Sequence, residues 1–209
     1  KLASDTLDLV GHLTVKQSKE NLVFLDYIRF LNGKKKESDA IRTQLEANKD
    51  PLAKNGLRAQ LEEMDKEVKQ YQKDLIAKNP ALLAAALVRM SMAPELPELR
   101  KPDGSLDSAA QYYQYRAHFW DNFDLKDERI VRVPVFGNKF DEYISKTIAQ
   151  IPDTINVLAD DLIERTDGKN EVFKFMVNTI THKYETSDIM GMDAVFVHMG
   201  QTYFCPKAG

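Results

Sequence analysis

The side chains best equipped for chemistry are concentrated in Tyr112-Tyr-Gln-Tyr-Arg-Ala-His-Phe-Trp-Asp-Asn-Phe-Asp124. On a helix, Tyr112, Tyr115, Phe119 and Phe123 share one broad face, and Tyr113 and Trp120 share another. His118, Asp121 and Asn122 are neighbours at i+3 and i+4 spacing. One reading is an aromatic groove with polar handles that binds a peptide or a glycan. Its contacts would be Tyr112, Tyr113, His118, Trp120, Asp121 and Asn122. The other is a helix-bundle core in which Tyr and Trp find polar partners. Aromatics at helical spacing favour the core.

Other constellations are weaker. His182, Glu185 and Asp188 lie close together, with His198 further on. They form an HxxE only, without the HExxH helix or the calcium loop that would fix ligand geometry. Asp127-Glu128 and Asp160-Asp161 are acidic pairs, but adjacent helical residues diverge and make a poor two-carboxylate site. Asp127-Glu128 reads as the start of a helical turn. No GxSxG, Walker A or GxGxxG run is present. The single glycine of Gly191-Met192-Asp193 provides no nest of free N–H groups, so this segment reads as the opening of the last helix. Cys205 is alone, which excludes an intrachain disulfide, a CxxC pair and a cysteine zinc site. The expectation is no catalytic residue, no metal ligand set and no cofactor.

These residues sit in a chain of 209, with 29 basic and 32 acidic side chains, a net charge of −3 and 43% hydrophobic residues. Those totals fit one large or two small globular domains with a sizeable core. They exclude a collagen, a disulfide scaffold, a polytopic membrane protein and a strongly basic nucleic-acid binder. Residues 1–25 lack the apolar run of a signal peptide. The start at Lys1, without methionine, suggests a processed form or an excised piece. The most apolar stretch, Pro80 to Met92, is too short to span a bilayer and contains Arg89, so it is expected to be a buried helix with Pro80 at its start.

The elements follow from periodicity. Leu7 to Val15 partly alternates like a strand, with no hairpin partner in view. Ser18 is a candidate N-cap with Glu20 in the first turn. Leu22, Leu25, Ile28 and Leu31 recur at helical spacing, Gly33-Lys-Lys-Lys36 is a candidate interruption, and Ile41 and Leu45 resume the stripe. Asn48 to Gly56 reads as a connection. Leu57, Leu61, Met64, Val68, Tyr71 and Leu75 then form an a/d seam. Glu62–Lys66 and Asp65–Lys69 are i,i+4 pairs on its exposed side. Residues 19–47 and 57–78 should form a long antiparallel hairpin, a candidate surface for a protein partner.

Beyond Pro97, Pro102-Asp103-Gly104 marks a turn, and Ser105 can cap a helix running to about Phe123. Further helical stripes run through Phe140–Ile148, Ile155–Leu162, Val172–Ile180 and Met190–Phe204. The fold class is all-α: a hairpin, then a bundle or α-α superhelix, with one short N-terminal strand-like segment. The segments are 1–16, 17–79, 80–205 and 206–209.

Two stretches carry a family resemblance. One is Tyr115-Arg-Ala-His-Phe-Trp-Asp-Asn-Phe-Asp124, continuing through Asp127-Glu-Arg-Ile130 and Pro134-Val-Phe-Gly-Asn-Lys139. The other is His182 through His198. From about Leu7 to Phe204 the chain resembles the helical domain of unknown function found in bacterial envelope proteins of the thioredoxin-like thiol-disulfide oxidoreductase group. The resemblance implies a β-rich domain before it and a thioredoxin-like (TlpA or AhpC/TSA type) domain after it, both partners in cis, and a place in the cell envelope. Residues 1–16 would then end the β-rich domain and residues 206–209 begin a linker. The redox chemistry of that group rests on a CxxC that this chain lacks, so the resemblance implies a non-catalytic accessory or docking domain. The competing expectation is the aromatic-groove module.

Overall fold

The computed structural model describes residues 2–3, 13–15 and 17–205. The architecture is all-α. Among the described residues there are eight α-helices, and the chain divides into two compact units, Lys1–Arg89 and Met90–Gly209.

In the first unit, β1 (Leu2–Ala3) and β2 (Thr14–Val15) pair antiparallel, Leu2 opposite Val15. The strand expected without a partner therefore has one over residues 14–15. Residues 7–12 of that expected strand lie outside the described residues. α1 (Lys19–Ala47) begins where Ser18 Oγ accepts from the Asn21 amide at 3.3 Å. It runs through Gly33 without interruption. A helical glycine costs only about 1 kcal/mol relative to alanine. Lys34 holds the helix surface on both sides, bonding Glu37 one turn on and Glu67 on the opposite helix. α2 (Pro51–Lys78) starts earlier than the sequence suggested. Asp50 accepts from the Leu52 amide at 3.0 Å, and Pro51 fits the first position because its missing N–H leaves nothing unpaired there. The connection thus shrinks to residues 48–50, and Gly56 is helical.

The hairpin's core lies at its base. Tyr27, Leu75, Ala85 and Val88 are buried together, with Val23, Ile28, Leu31, Tyr71 and Ile76 packed against them. Ala85 and Val88 belong to α3 (Leu83–Ser91), so the apolar stretch at 80–92 is a buried helix that starts after Pro80 and contributes to this core. Phe30 stacks on Tyr71 with ring centroids 4.0 Å apart, and Tyr27 Oη accepts from Gln72 Nε2 at 2.8 Å. Glu20 joins the base to α3: its Oε1 accepts from the Ala84 amide at 2.5 Å, one of the N–H groups that the first turn of α3 cannot satisfy itself. Further out, Ile41, Leu45, Leu57, Leu61, Met64 and Val68 are only half-buried, because two helices can cover each other on one side only.

In the second unit, Asp103 accepts from both the amide and the hydroxyl of Ser105, closing a turn in which Gly104 has a φ of +82°. Ser105 is therefore not the cap of the next helix. Asp107 is: its carboxylate accepts from the Ala110 amide at 3.0 Å at the start of α4 (Ser108–His118). α4 ends at His118, and Phe119–Phe123 continue as turns, with Asp121 N–H donating to His118 O and Phe123 N–H to Trp120 O. A 3-10 turn (Glu128–Arg132) capped by Asp127 precedes α5 (Pro134–Glu142), which passes into a π turn (Tyr143–Thr147). α6 (Pro152–Glu164), α7 (Glu171–Glu185) and α8 (Asp193–Met199) come next, and a second π turn (Gly200–Phe204) closes the unit. Prolines open α5 and α6, and Gly191, with a φ of +86°, precedes α8. Ile155, Met176, Ile180, Val195 and Met199 are wholly buried and bring the last three helices together.

Candidate functional site

Two neighbourhoods of the second unit hold the side chains with chemical potential. The first is built on α4. Tyr112 Oη donates to the Thr147 carbonyl at 2.6 Å, which ties α4 to the first π turn. Tyr113 is 58% exposed. Their rings meet edge to face at 5.4 Å, and the Arg116 guanidinium sits 5.9 Å from the Tyr112 centroid and 5.3 Å from that of Tyr113. His118 and Asp121 are exposed and bonded to each other, Nδ1 to Oδ2 at 2.6 Å.

Trp120 does not join this surface. It is 2% exposed, and Phe119, Phe123 and Tyr143 lie 4.9–5.3 Å from its ring. Phe136 and Phe140 complete the cluster at 6.2 Å. The expectation that Trp120 lines a groove is corrected: the α-helix ends at His118, the chain tightens into i→i−3 turns, and Trp120 is packed in the core. Asn122 also serves the fold, donating from Nδ2 to the Met92 carbonyl at 2.9 Å. Of the six expected contacts, Tyr112, Tyr113, His118 and Asp121 remain at the surface.

The second neighbourhood was not legible in the sequence. His198 Nε2 lies 2.9 Å and 3.0 Å from the two carboxylate oxygens of Asp160, and Tyr203 Oη donates to Asp160 Oδ1 at 2.7 Å. Burial, then the bond to Asp160, pushes the Tyr203 phenol well above the usual tyrosine range. Phe173 packs edge-on against the Tyr203 ring at 5.9 Å. Asp160 thus clasps α8 and the second π turn onto α6. Asp161 points away and is exposed, so the acidic pair divides as adjacency on a helix requires. Among the described residues neither a hydroxyl nor a thiol is hydrogen-bonded to His198. A longer-range signal, pairing positions 160 and 198, would have been needed to find it.

The remaining candidates stay apart. His182 and Glu185 are exposed and 3.8 Å from each other. Among the described residues no group of three or more His, Cys, Asp or Glu side chains could hold a metal ion. Cys205 is a free, exposed thiol. Asp127 caps the 3-10 turn and pairs with Arg129 at 2.7 Å. Among the described residues no helix is long and apolar enough to cross a membrane.

Comparison with known proteins adds one relationship. No curated protein and no solved structure matches the chain. A family model described as "Domain of unknown function (DUF5106)" matches residues 61–208, from the middle of α2 through the second π turn. This range takes in the α4 surface and the Asp160–His198–Tyr203 clasp and leaves α1 outside it. With most of its length matched, the chain belongs to the DUF5106 family of domains of unknown function.

Proposed function

We propose that this chain is a non-catalytic helical docking domain that serves a thioredoxin-like thiol-disulfide oxidoreductase domain in the same protein, in the bacterial cell envelope. The observation that carries the reading is the hairpin. α1 has 29 residues, about 43 Å at 1.5 Å per residue. Its contacts with the three-helix core fall between Glu20 and Leu31, and those of α2 between Tyr71 and Ile76. The length beyond them is far more than that core needs. It offers a stiff surface on which another domain can rest. The thioredoxin-like and β-rich partners and the envelope location come from the family resemblance of the two motif stretches.

The test is cross-linking of the whole parent polypeptide with an amine-reactive reagent, read by mass spectrometry. Lys34, Lys54, Lys66 and Lys69 on the hairpin should join lysines of the thioredoxin-like domain. A parent protein with no such domain, or cross-links confined within residues 1–209, would overturn the proposal. The chain alone should show no disulfide reduction in a thiol assay.

A second reading, a peptide-binding surface, is favoured by the exposure of Tyr113 beside Arg116. Without Trp120 and Asn122 it is a flat patch and not a groove.

A further inference from the structure

The hairpin accounts for bulk but not for the outer face of α4. Tyr113 exposes more than half its surface, and its hydroxyl makes no hydrogen bond among the described residues. Arg116 lies against two tyrosine rings and makes no ion pair among the described residues. Several acids of this unit are engaged elsewhere: Asp121 holds His118, Glu142 holds Lys139, and Asp141 holds Ser145 and faces Lys183, while Asp161 acts on the same Tyr143 phenol as Arg116 without pairing with it among the described residues. What sets Arg116 apart is its place over two tyrosine rings.

We propose that Tyr112, Tyr113 and Arg116 form a docking point for a carboxylate-bearing peptide segment of a protein partner. The inference rests on the second, peptide-binding reading above and names the chemistry of its ligand. Four physical points support it. The planar guanidinium presents a fork of N–H donors that matches a carboxylate in bidentate geometry. Contact with two rings and the lock of Tyr112 onto the Thr147 carbonyl limit the conformations lost on binding. Tyrosine and arginine are among the residue types that dominate binding energy at protein interfaces. The exposed Tyr113 face supplies apolar area beside the charge, which suits an acidic residue flanked by an apolar one. Burial raises the Tyr143 phenol above its usual range, Arg116 and Arg165 pull it back, and Asp161 opposes them.

The experiment uses the whole 209-residue chain, labelled with nitrogen-15. It is titrated with acetyl-Leu-Glu-Asp-Leu-Phe-amide and with the uncharged acetyl-Leu-Gln-Asn-Leu-Phe-amide. Amide shifts should centre on residues 112–118, with the acidic peptide bound about tenfold more tightly. Arg116→Gln should abolish that preference, Arg116→Lys should retain part of it, and Tyr113→Ala should weaken both peptides. Both positions lie on the outer face of α4, and the amide spectrum reports whether each variant folds. Equal affinity for the two peptides, a preference that survives Arg116→Gln, or no binding at millimolar peptide would overturn the site. Shifts centred on residues 19–78 would overturn it while leaving a docking role for the hairpin. The cross-linking outcome decides the docking reading separately.

Discussion

At the scale of single residues, Trp120 fills the centre of an aromatic cluster, and its indole Nε1 has no hydrogen-bond partner among the described residues. Trp120→Ala should therefore cost about 3–5 kcal/mol through the cavity it leaves. Trp120→Phe should cost markedly less, since no hydrogen bond is forfeited. Urea titration of the two variants checks the order, and equal losses would contradict it. Tyr184 gives a pH signature. Burial pushes its phenol up to about 12. The folded state therefore favours the neutral form, a contribution fully present below the unfolded value of about 10 and lost as pH rises from there through about 12. Tyr184→Phe should flatten the alkaline fall in stability between those values. Tyr203, Tyr143, Tyr115 and Tyr71 are raised in the same sense, so the fall will shrink and not vanish. Chemical denaturation at intervals from pH 9 to 12 measures the slope. The type and spacing of residues 112–123 were legible in the sequence, but the side on which each would face was not. The helix stops at His118; Phe119 keeps the contact with Tyr115 that periodicity assigns it, whereas Trp120 is buried and Tyr113, its expected companion, is exposed.

At the scale of elements, caps explain both the successes and the misses. Ser18 was readable because a hydroxyl preceding a clean apolar stripe has one obvious use. Ser105 and Asp107 are both good caps two residues apart, and Asp103 decided between them by taking Ser105 into its own turn. Asp50-Pro51 was hidden within a run of polar and turn-prone residues. The π turns after α5 and α8 carry no sequence signal of their own, because each looks like one more turn of the same stripe. On α2, Lys66 pairs with Glu63 and not with Glu62, and the bond is solvent-exposed on both sides. Reversing the charges of Glu62 and Asp65 together should change stability by about 0.5 kcal/mol or less. A thermal melt that falls by several times the corresponding shift would show that this face of the hairpin is engaged.

At the scale of the molecule, the all-α class followed from periodicity alone, because long stripes at helical spacing leave few other ways to bury their faces. The division after Arg89 did not. It depends on Ala85 and Val88 packing against Tyr27 and Leu75, a pairing that spans the whole hairpin in sequence. Residues 90–209 carry their own buried aromatic and aliphatic core. Expressed alone, they should fold cooperatively, with dispersed amide signals and a single melting transition. A molten spectrum would show that the first unit is required. The hairpin has one more consequence. Within the first unit the core cluster lies at its base, while the segment from Ile41 through Leu61 packs along the seam between its two helices. Seven residues added to each helix there would keep that seam in register and move the tip outward by about 10 Å. The arm is thus a ruler, and natural selection could set the span between its base and whatever it touches without disturbing a single buried residue.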